Sequence, residues 1–230
     1  MNAPAIRVFS TNAVNAALTK LAPLFEAAHG SRIAIDFNAT DQILARVKNG
    51  ETADLVIATR AGIDELTKLG KIAPASRIDL GSTGVGIGVR AGAAKPDISS
   101  VAAFRRALLD AQSIAYASRG VGGILLMQIA ARFGIAGELQ AKSRTIAGGL
   151  VGELVVRGEA ELCVQMISEI LAVEGCELAG PLPPGLQQIT VFSAAVLAGS
   201  PRAAAARALA EFLAGPAAAS VMQASGFARP

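Results

Sequence analysis

The feature that most constrains the fold is a threefold repetition of strand, polar loop and helix at the start of the chain. Hydrophobic residues alternate in the short strands and recur at helical spacing in the segments that follow them. Strands and helices that alternate in this way are typical of a parallel sheet built from βαβ units, so the sequence predicts an α/β fold. The predicted strands and helices are, in chain order, 6–9, 13–28, 32–38, 40–49, 54–59 and 63–70.

The character of the chain changes after Leu80, where glycine occupies alternate positions of a strand from Gly84 to Gly88. The spacing matches neither a dinucleotide-binding nor a phosphate-binding glycine loop, and these glycines lie inside a strand. We interpret the segment as a crossing strand with one face left bare for close packing or for hinge movement. A second strand, over 189–198, returns toward the first half. We therefore expect two α/β lobes, one of residues 1–82 plus 193–230 and the other of residues 83–192.

The charge balance excludes several kinds of partner. The 230 residues carry 21 Lys and Arg against 18 Asp and Glu, a net charge of +3 that is spread evenly along the chain. Nucleic-acid binding would require a clustered basic face, so we expect no nucleic-acid partner and find a small anionic ligand easier to reconcile. Since no window reaches about 18 uninterrupted apolar residues, we also expect no membrane insertion.

The first residues predict the location of the protein. Met1 to Ile6 lead directly into a strand, without the basic and apolar regions of a signal peptide. We expect a periplasmic protein if a leader has been removed, and a cytoplasmic one otherwise.

The cysteine and histidine content argues against a metal or a cofactor. Cys163 and Cys176 are thirteen positions apart, and His29 is the one histidine in the sequence. These residues do not form a zinc-binding pattern, so we predict no metal and no cofactor. His29 falls where a helix is predicted to end, and a histidine in the last turn facing water or the helix dipole is favoured over a catalytic one.

Polar or glycine-rich residues occupy four predicted turns between a strand and a helix. The turns are Ser10-Thr11-Asn12, Asn38-Ala39-Thr40, Ser118-Arg119-Gly120 and Gly148-Gly149. Ligands of open α/β sheets bind beyond the carboxyl ends of the strands, where helices present unpaired N–H groups to anions. Each turn by itself is more simply explained by helix capping. The four together favour an anion-binding site, because capping and anion binding use the same end of a helix.

Landmarks at both ends of the chain carry a resemblance to a known family. They are Ile6 to Ala13, Leu24-Phe25-Glu26 with Gly30, Phe37 to Thr40, Ala53 to Ile57, Ile63 to Leu66, Leu69-Gly70, Ala195 to Ser200, Ala210 to Leu213, Gly215-Pro216 and Gly226-Phe227. In this order they resemble the molybdate-binding family of ABC-importer solute receptors. The resemblance implies a type II periplasmic-binding-protein-like fold, in which two lobes are hinged around a cleft that captures a small anion. We expect a monomer, with an ABC permease as a candidate partner.

The sequence departs from that family in its predicted ligand groups. The receptors hold a tetrahedral oxyanion with neutral donors, and the position of their binding tyrosine aligns here with Met166. Arg119, with Arg60 after the third strand, would add charge that suits a planar carboxylate. We therefore expect an organic di- or tricarboxylate ahead of a molybdate-like oxyanion. The predicted ligand-binding residues are Ser10, Thr11, Asn12, Asn38, Thr40, Arg60, Ser118, Arg119, Gly120, Gly122, Gly149, Gln165, Met166 and Ser168.

An enzyme on the same fold is the alternative. Some proteins that resemble this family are aconitate isomerases, and segments 178–183 and 187–192 are similar to theirs. An allylic proton shift in a polycarboxylate needs groups that bind carboxylates and one base. His29, Asp41 and Glu169 are candidate bases, and either carboxylate would need a raised pKa. Because no motif fixes the base, the sequence favours a solute-binding protein for ABC-type import, with isomerisation of a polycarboxylate such as aconitate as the alternative.

Overall fold

The computed structural model describes residues 5–229, which form two compact units. Unit 1 contains the described residues up to Ser82 and those from Thr190 onward, and unit 2 is Thr83–Ile189. Each unit is built on one five-stranded sheet that mixes parallel and antiparallel strands. The α/β class predicted from the strand-and-helix pattern is confirmed. The sequence-based lobe boundaries after residues 82 and 192 stay a prediction.

In unit 1 the carboxyl ends of three parallel strands meet at one edge of the sheet. The strand order is β2-β1-β3-β10-β4; β1 is parallel to β2 and β3, and β10 is antiparallel to β3. The loops that follow β1, β2 and β3 therefore lie side by side. The elements of unit 1 are β1 Ile6–Thr11, α1 Asn15–His29, β2 Ile33–Asn38, α2 Thr40–Lys48, β3 Leu55–Thr59, α3 Arg60–Lys68, β4 Ile78–Thr83, β10 Thr190–Val196, α9 Ala203–Ala214 and α10 Pro216–Ala224. Thr83, the last residue of β4, is the first residue of unit 2.

The core of unit 1 follows from the spacing of its apolar residues. Helices α2 and α3 bury Ile43, Ile63 and Leu66, and strands β1 and β3 contribute Phe9 and Val56 to the same cluster. The polar faces of α2 and α3 are exposed to water. This packing fixes β1 and β3, and with them the loops that follow these two strands.

Unit 2 repeats the arrangement with a second set of loops. The strand order is β7-β6-β8-β5-β9, in which β6 is parallel to β7 and β8, and β5 is antiparallel to β8 and β9. The carboxyl ends of β6, β7 and β8 and the start of β5 share one edge. The elements are β5 Val85–Arg90, α4 Val101–Asp110, β6 Ile114–Ala117, α5 Val121–Arg132, α6 Ala136–Ala141, β7 Ser143–Ile146, α7 Gly152–Val156, β8 Leu162–Met166, α8 Ile167–Ile170 and β9 Cys176–Pro181.

The alternate glycines of β5 allow close packing on one face. A Cβ atom at Gly86 would lie 2.8 Å from the Leu178 side chain, and one at Gly88 would lie 2.5 Å from Cys163 Sγ and 3.0 Å from Cys176 Sγ. A larger residue at either position would therefore collide with its neighbours. The packing role predicted for this bare face is confirmed, and the hinge role stays a prediction.

Several elements differ from the sequence-based predictions. Strand β7 and most of β9 are half-exposed edge strands without a clean apolar alternation, so they were not predicted. The short helix α8, which begins at Ile167 directly after β8 ends at Met166, was not predicted either. Gly149 does not open a helix as predicted, because its φ of +109° lies in the left-handed region, and α7 begins only at Gly152. Within residues 5–229, no helix combines the length and apolar character needed to cross a membrane.

Candidate functional site

Backbone hydrogen bonds join two of the predicted loops of unit 2. The Ser118 N–H donates to the Ile146 carbonyl at 2.9 Å, and the Arg119 N–H donates to the Ala147 carbonyl at 3.3 Å. The Ser118 hydroxyl also donates to Ile146 at 3.3 Å. The side chains of Ser118 and Arg119 are exposed. The loop after β6, which includes Arg119, is therefore attached to the loop after β7.

Gln165 holds the Gly149 turn. Its side chain is buried; Nε2 donates to the Gly149 carbonyl at 2.6 Å, and Oε1 accepts the Val151 N–H at 3.0 Å. Both polar atoms of the side-chain amide are thus engaged with the turn. The arrangement makes Gln165, predicted to contact ligand, a residue that fixes the backbone of the loop after β7.

Glycines after β6 allow helix α5 to approach the sheet. A Cβ at Gly122 would lie 2.9 Å from Gln165 Cα, and one at Gly123 would lie 2.0 Å from the Ala117 carbonyl oxygen. The Gly120 N–H donates to the same Ala117 carbonyl at 3.1 Å. Because backbone atoms cannot move aside, these positions exclude any side chain. In the structure Gly122 therefore packs against β8.

Glu169 is the carboxyl group at this edge of unit 2 whose pKa is raised toward neutral pH. It lies in α8, directly after β8, and its Oε2 accepts the Met166 N–H at 3.3 Å. Burial raises the pKa of Glu169 to about 8, against the hydrogen bonds from Met166 and Gln165 that favour the charged form. A carboxyl with this pKa exchanges a proton near neutral pH. Met166, at the predicted tyrosine position, is buried, and so is the Ser168 side chain.

Glu169 was among the candidate bases from the sequence but outside the predicted ligand set. The only sequence signal was an acidic residue soon after a predicted strand. Its raised pKa depends on packing around α8 and could not be inferred from the local pattern.

The polar side chains at the loop edge of unit 1 bond mainly to their own neighbours. The buried Ser10 hydroxyl donates to the Thr11 carbonyl at 3.2 Å, and Thr11 Oγ1 accepts the Ala13 N–H at 3.5 Å, which caps the 3-10 turn Asn12–Val14. Asn38 Nδ2 donates to Asp36 at 2.9 Å. The capping interpretation thus applies to Thr11.

The loop after β2 does not cap the following helix through a side chain. Helix α2 begins at Thr40, and its N-cap is Ala39, which has no side chain able to cap. The capping interpretation therefore does not hold for the Asn38-Ala39-Thr40 turn. Asn12 and Thr40 are half-buried at this edge.

Arg60 is committed to an ion pair inside unit 1. Its guanidinium bonds to the Asp79 carboxylate, which also accepts the Ser193 hydroxyl at 2.6 Å. The charge that the sequence assigned to a ligand is therefore neutralised by Asp79. His29 has the structural role that the sequence favoured: it ends α1, its Nδ1 bonds to the Phe25 carbonyl at 3.2 Å, and its ring stacks on Phe25 at 4.1 Å.

Comparison with known proteins identifies the class. The model of the family described as bacterial extracellular solute-binding protein matches residues 6–228, and the chain belongs to this family. The fold is also that of the periplasmic molybdate-binding protein of Azotobacter vinelandii, with a TM-score of 0.82 and 18% identity over 98% of this chain and 99% of that one. The sulfate-binding protein SubI of Mycobacterium tuberculosis H37Rv gives a TM-score of 0.75 and 19% identity over 98% and 86% of the chains.

A curated relative is more similar in sequence. An aconitate isomerase of a Pseudomonas species is 35% identical over 226 residues, which are 96% of this chain and 86% of that protein. The predicted resemblance to molybdate-binding receptors is confirmed, as is the type II periplasmic-binding-protein-like fold. The two anion-binding structures are too distant in sequence to carry more than the fold.

Proposed function

We propose that the protein is an isomerase that moves a proton within a small polycarboxylate such as aconitate. The observation that carries the proposal is the 35% identity to an aconitate isomerase over nearly the whole chain. The perturbed carboxyl of Glu169 supports it, because an allylic proton shift needs one base and no redox partner.

In the proposed reaction Glu169 both accepts and returns the proton. Its carboxylate takes a proton from the methylene carbon next to one substrate carboxylate, and the C–H electron pair enters the conjugated system. The protonated Glu169 then donates to the carbon at the other end of the allylic unit, while the double bond shifts. A pKa of about 8 makes Glu169 a stronger base than an ordinary carboxylate and still leaves both forms accessible near neutral pH.

Substrate carboxylates need donors and positive charge. The proposal assigns Arg119 to one carboxylate, because a guanidinium can form two parallel hydrogen bonds to it. The backbone N–H of Gly149 is a further candidate, whereas the N–H of Gly120 receives no such role because it already donates to the Ala117 carbonyl at 3.1 Å. Arg60 receives no ligand role in the proposal, because Asp79 already neutralises its charge. Ser118, in the loop after β6, is a further predicted contact within unit 2. The predicted ligand contacts of unit 1, which are Ser10, Thr11, Asn12, Asn38 and Thr40, stay predictions.

Transport is the second candidate function. Membership of an extracellular solute-binding family favours a protein that captures the same polycarboxylate and delivers it to an ABC permease. The binding residues would be the same, and Glu169 would then have no proton to transfer. The two candidates therefore differ in turnover.

The test is to incubate the purified protein separately with cis-aconitate and trans-aconitate and to follow their interconversion by chromatography. The proposal expects both directions to reach the same equilibrium mixture. Glu169→Gln, which keeps the size and an oxygen acceptor, should bind but not convert the substrate. A ligand-induced rise in melting temperature without interconversion would favour transport. A rise with molybdate or sulfate and none with any polycarboxylate would contradict both candidates.

A further inference from the structure

Two buried hydroxyl groups in unit 2 lack hydrogen-bond partners. Thr83 is 3% exposed and Ser168 is 1% exposed, yet within the described part of the chain neither Thr83 Oγ1 nor Ser168 Oγ has a hydrogen-bond partner. Leaving a buried hydroxyl unpaired destabilises a fold, because the group loses its hydrogen bond to water and gains none in return. Such groups are rare in native proteins and call for an explanation, of which a missing ligand is one.

The strand register brings the two residues to neighbouring positions. Val85 of β5 is paired with Met166 of β8 in antiparallel register, and the Ile167 N–H donates to the Gly84 carbonyl at 2.8 Å. Thr83 is the residue before Gly84, and Ser168 is the residue after Ile167. Both therefore flank the point where β8 gives way to α8.

The same point holds the Glu169 carboxyl. Glu169 follows Ser168 directly and is turned back onto the Met166 N–H at 3.3 Å. Neither hydroxyl donates to this carboxyl, because both are without a partner. Two unused donors and one carboxyl that can exchange a proton thus lie at one end of the β5–β8 pair.

We propose that the hydroxyls of Thr83 and Ser168 donate hydrogen bonds to one carboxylate of the substrate, the one adjacent to the carbon that Glu169 deprotonates. This inference rests on the proposed isomerase function and adds Thr83, which the sequence did not single out, to its site. When the C–H bond breaks and Glu169 takes the proton, the electron pair spreads onto that carboxylate. Donors that already face the developing charge stabilise the transition state more than the ground state.

The test compares Thr83→Val and Ser168→Ala with Thr83→Ser, which keeps the hydroxyl. Ser225→Ala is the matched control, because Ser225 in unit 1 is the third buried hydroxyl without a partner among residues 5–229. Turnover is measured with trans-aconitate. Affinity is measured by calorimetry with propane-1,2,3-tricarboxylate, a saturated analogue that has no double bond to shift.

We expect Thr83→Val and Ser168→Ala each to lower kcat by about 100-fold and affinity for the analogue by about 10-fold, and Thr83→Ser to restore most of both. In the absence of ligand, all three hydroxyl deletions should leave the melting temperature unchanged or higher, since they remove an unpaired donor. A purely structural hydroxyl would lower it.

The outcomes separate this inference from the isomerase proposal. If the wild-type protein binds the analogue but does not convert aconitate, the isomerase proposal fails, and loss of analogue binding in Thr83→Val would still support the hydroxyl site. Affinity and turnover within twofold of wild type in both deletions would overturn the hydroxyl site while leaving the isomerase intact. A lower melting temperature that accompanies the loss of binding would also overturn it, as would failure of the wild-type protein to bind the analogue.

Discussion

The loop edges of the two sheets use their polar side chains differently. In unit 1, Thr11 caps a turn, Asn38 bonds to Asp36, and Arg60 is neutralised by Asp79. In unit 2, Gln165 holds a glycine turn, and beside it stands Glu169 with a pKa raised to about 8. The edge of unit 1 is thus largely satisfied by its own hydrogen bonds and ion pairs. Unit 2 contains the group that can exchange a proton near neutral pH, and we therefore assign the proposed chemistry to unit 2.

The largest effect is expected from Glu169→Gln in unit 2. The amide cannot accept the proton in the proposed step, so kcat with trans-aconitate should fall by about 100- to 10,000-fold. Substrate affinity should change little, because the Met166 N–H can still bond to the amide oxygen. Steady-state kinetics together with calorimetry provide the measurement. Retained turnover would exclude Glu169 as the base.

The two arginines provide the next contrast. Arg119→Ala should weaken binding of a tricarboxylate by about 30- to 1000-fold, because it removes a charge-assisted bidentate pair. Arg119→Lys, which keeps the charge but not the planar fork, should recover only part of the affinity. Arg60→Ala should leave affinity nearly unchanged, since Arg60 is paired with Asp79. Calorimetry of the three variants measures their affinities for the tricarboxylate. A larger loss of affinity in Arg60→Ala than in Arg119→Ala would contradict the prediction.

The pKa of Glu169 predicts how activity depends on pH. Since the proposed reaction requires Glu169 to be ionised in the free protein, kcat/KM should rise about tenfold per pH unit up to pH 8, where the pKa of Glu169 lies, and then level off. A profile that levels off near the ordinary carboxyl pKa of 4.5 would show that burial does not perturb this group.

The raised pKa of Glu169 also predicts that the stability of the folded protein falls as the pH rises, whereas the activity should rise. The folded pKa is raised above the unfolded one, so the protonated form favours folding, and this contribution is lost as the pH rises through about 8. Glu169→Gln stays neutral at every pH. Its melting temperature relative to wild type should therefore increase between pH 5 and pH 9, which scanning calorimetry at the two pH values measures.

Positions of the loops could be predicted from sequence, but the partners of their side chains could not. The alternation of strand and helix is a local pattern, and it correctly predicted the turn after β6 at Ser118. The turn predicted to begin at Ser10 begins only after Thr11, because β1 continues to that residue. The Arg60–Asp79 pair joins residues nineteen positions apart and arises only when α3 and β4 pack in one unit. A local pattern cannot separate such an arginine from one that binds ligand.

The same limit applies to unit 2. The contacts of Gln165 with Gly149 and Val151 span fourteen to sixteen positions, and they turn a predicted ligand residue into a support for the loop. The pKa of Glu169 is set by burial, which is a property of the packed protein. Binding for import was favoured from sequence because no motif identified a base. The pKa of Glu169 and the curated relative now favour the isomerase.

The smallest expected effect concerns the capping of one turn in unit 1 and of one helix in unit 2. Thr11→Ala removes the side-chain cap of the turn after β1, and Ser100→Ala removes the cap of α4, where Ser100 Oγ accepts the Ala103 N–H at 3.1 Å. Each substitution should lower the free energy of unfolding by about 1 kcal/mol, measured by urea denaturation. Ser100→Ala should not alter tricarboxylate affinity. If Thr11→Ala also leaves affinity unchanged, Thr11 is a cap alone. A loss of affinity confined to Thr11→Ala would contradict the interpretation of Thr11 as a cap alone, and the contrast between the loop edges of the two sheets would then be narrower than their hydrogen bonds indicate.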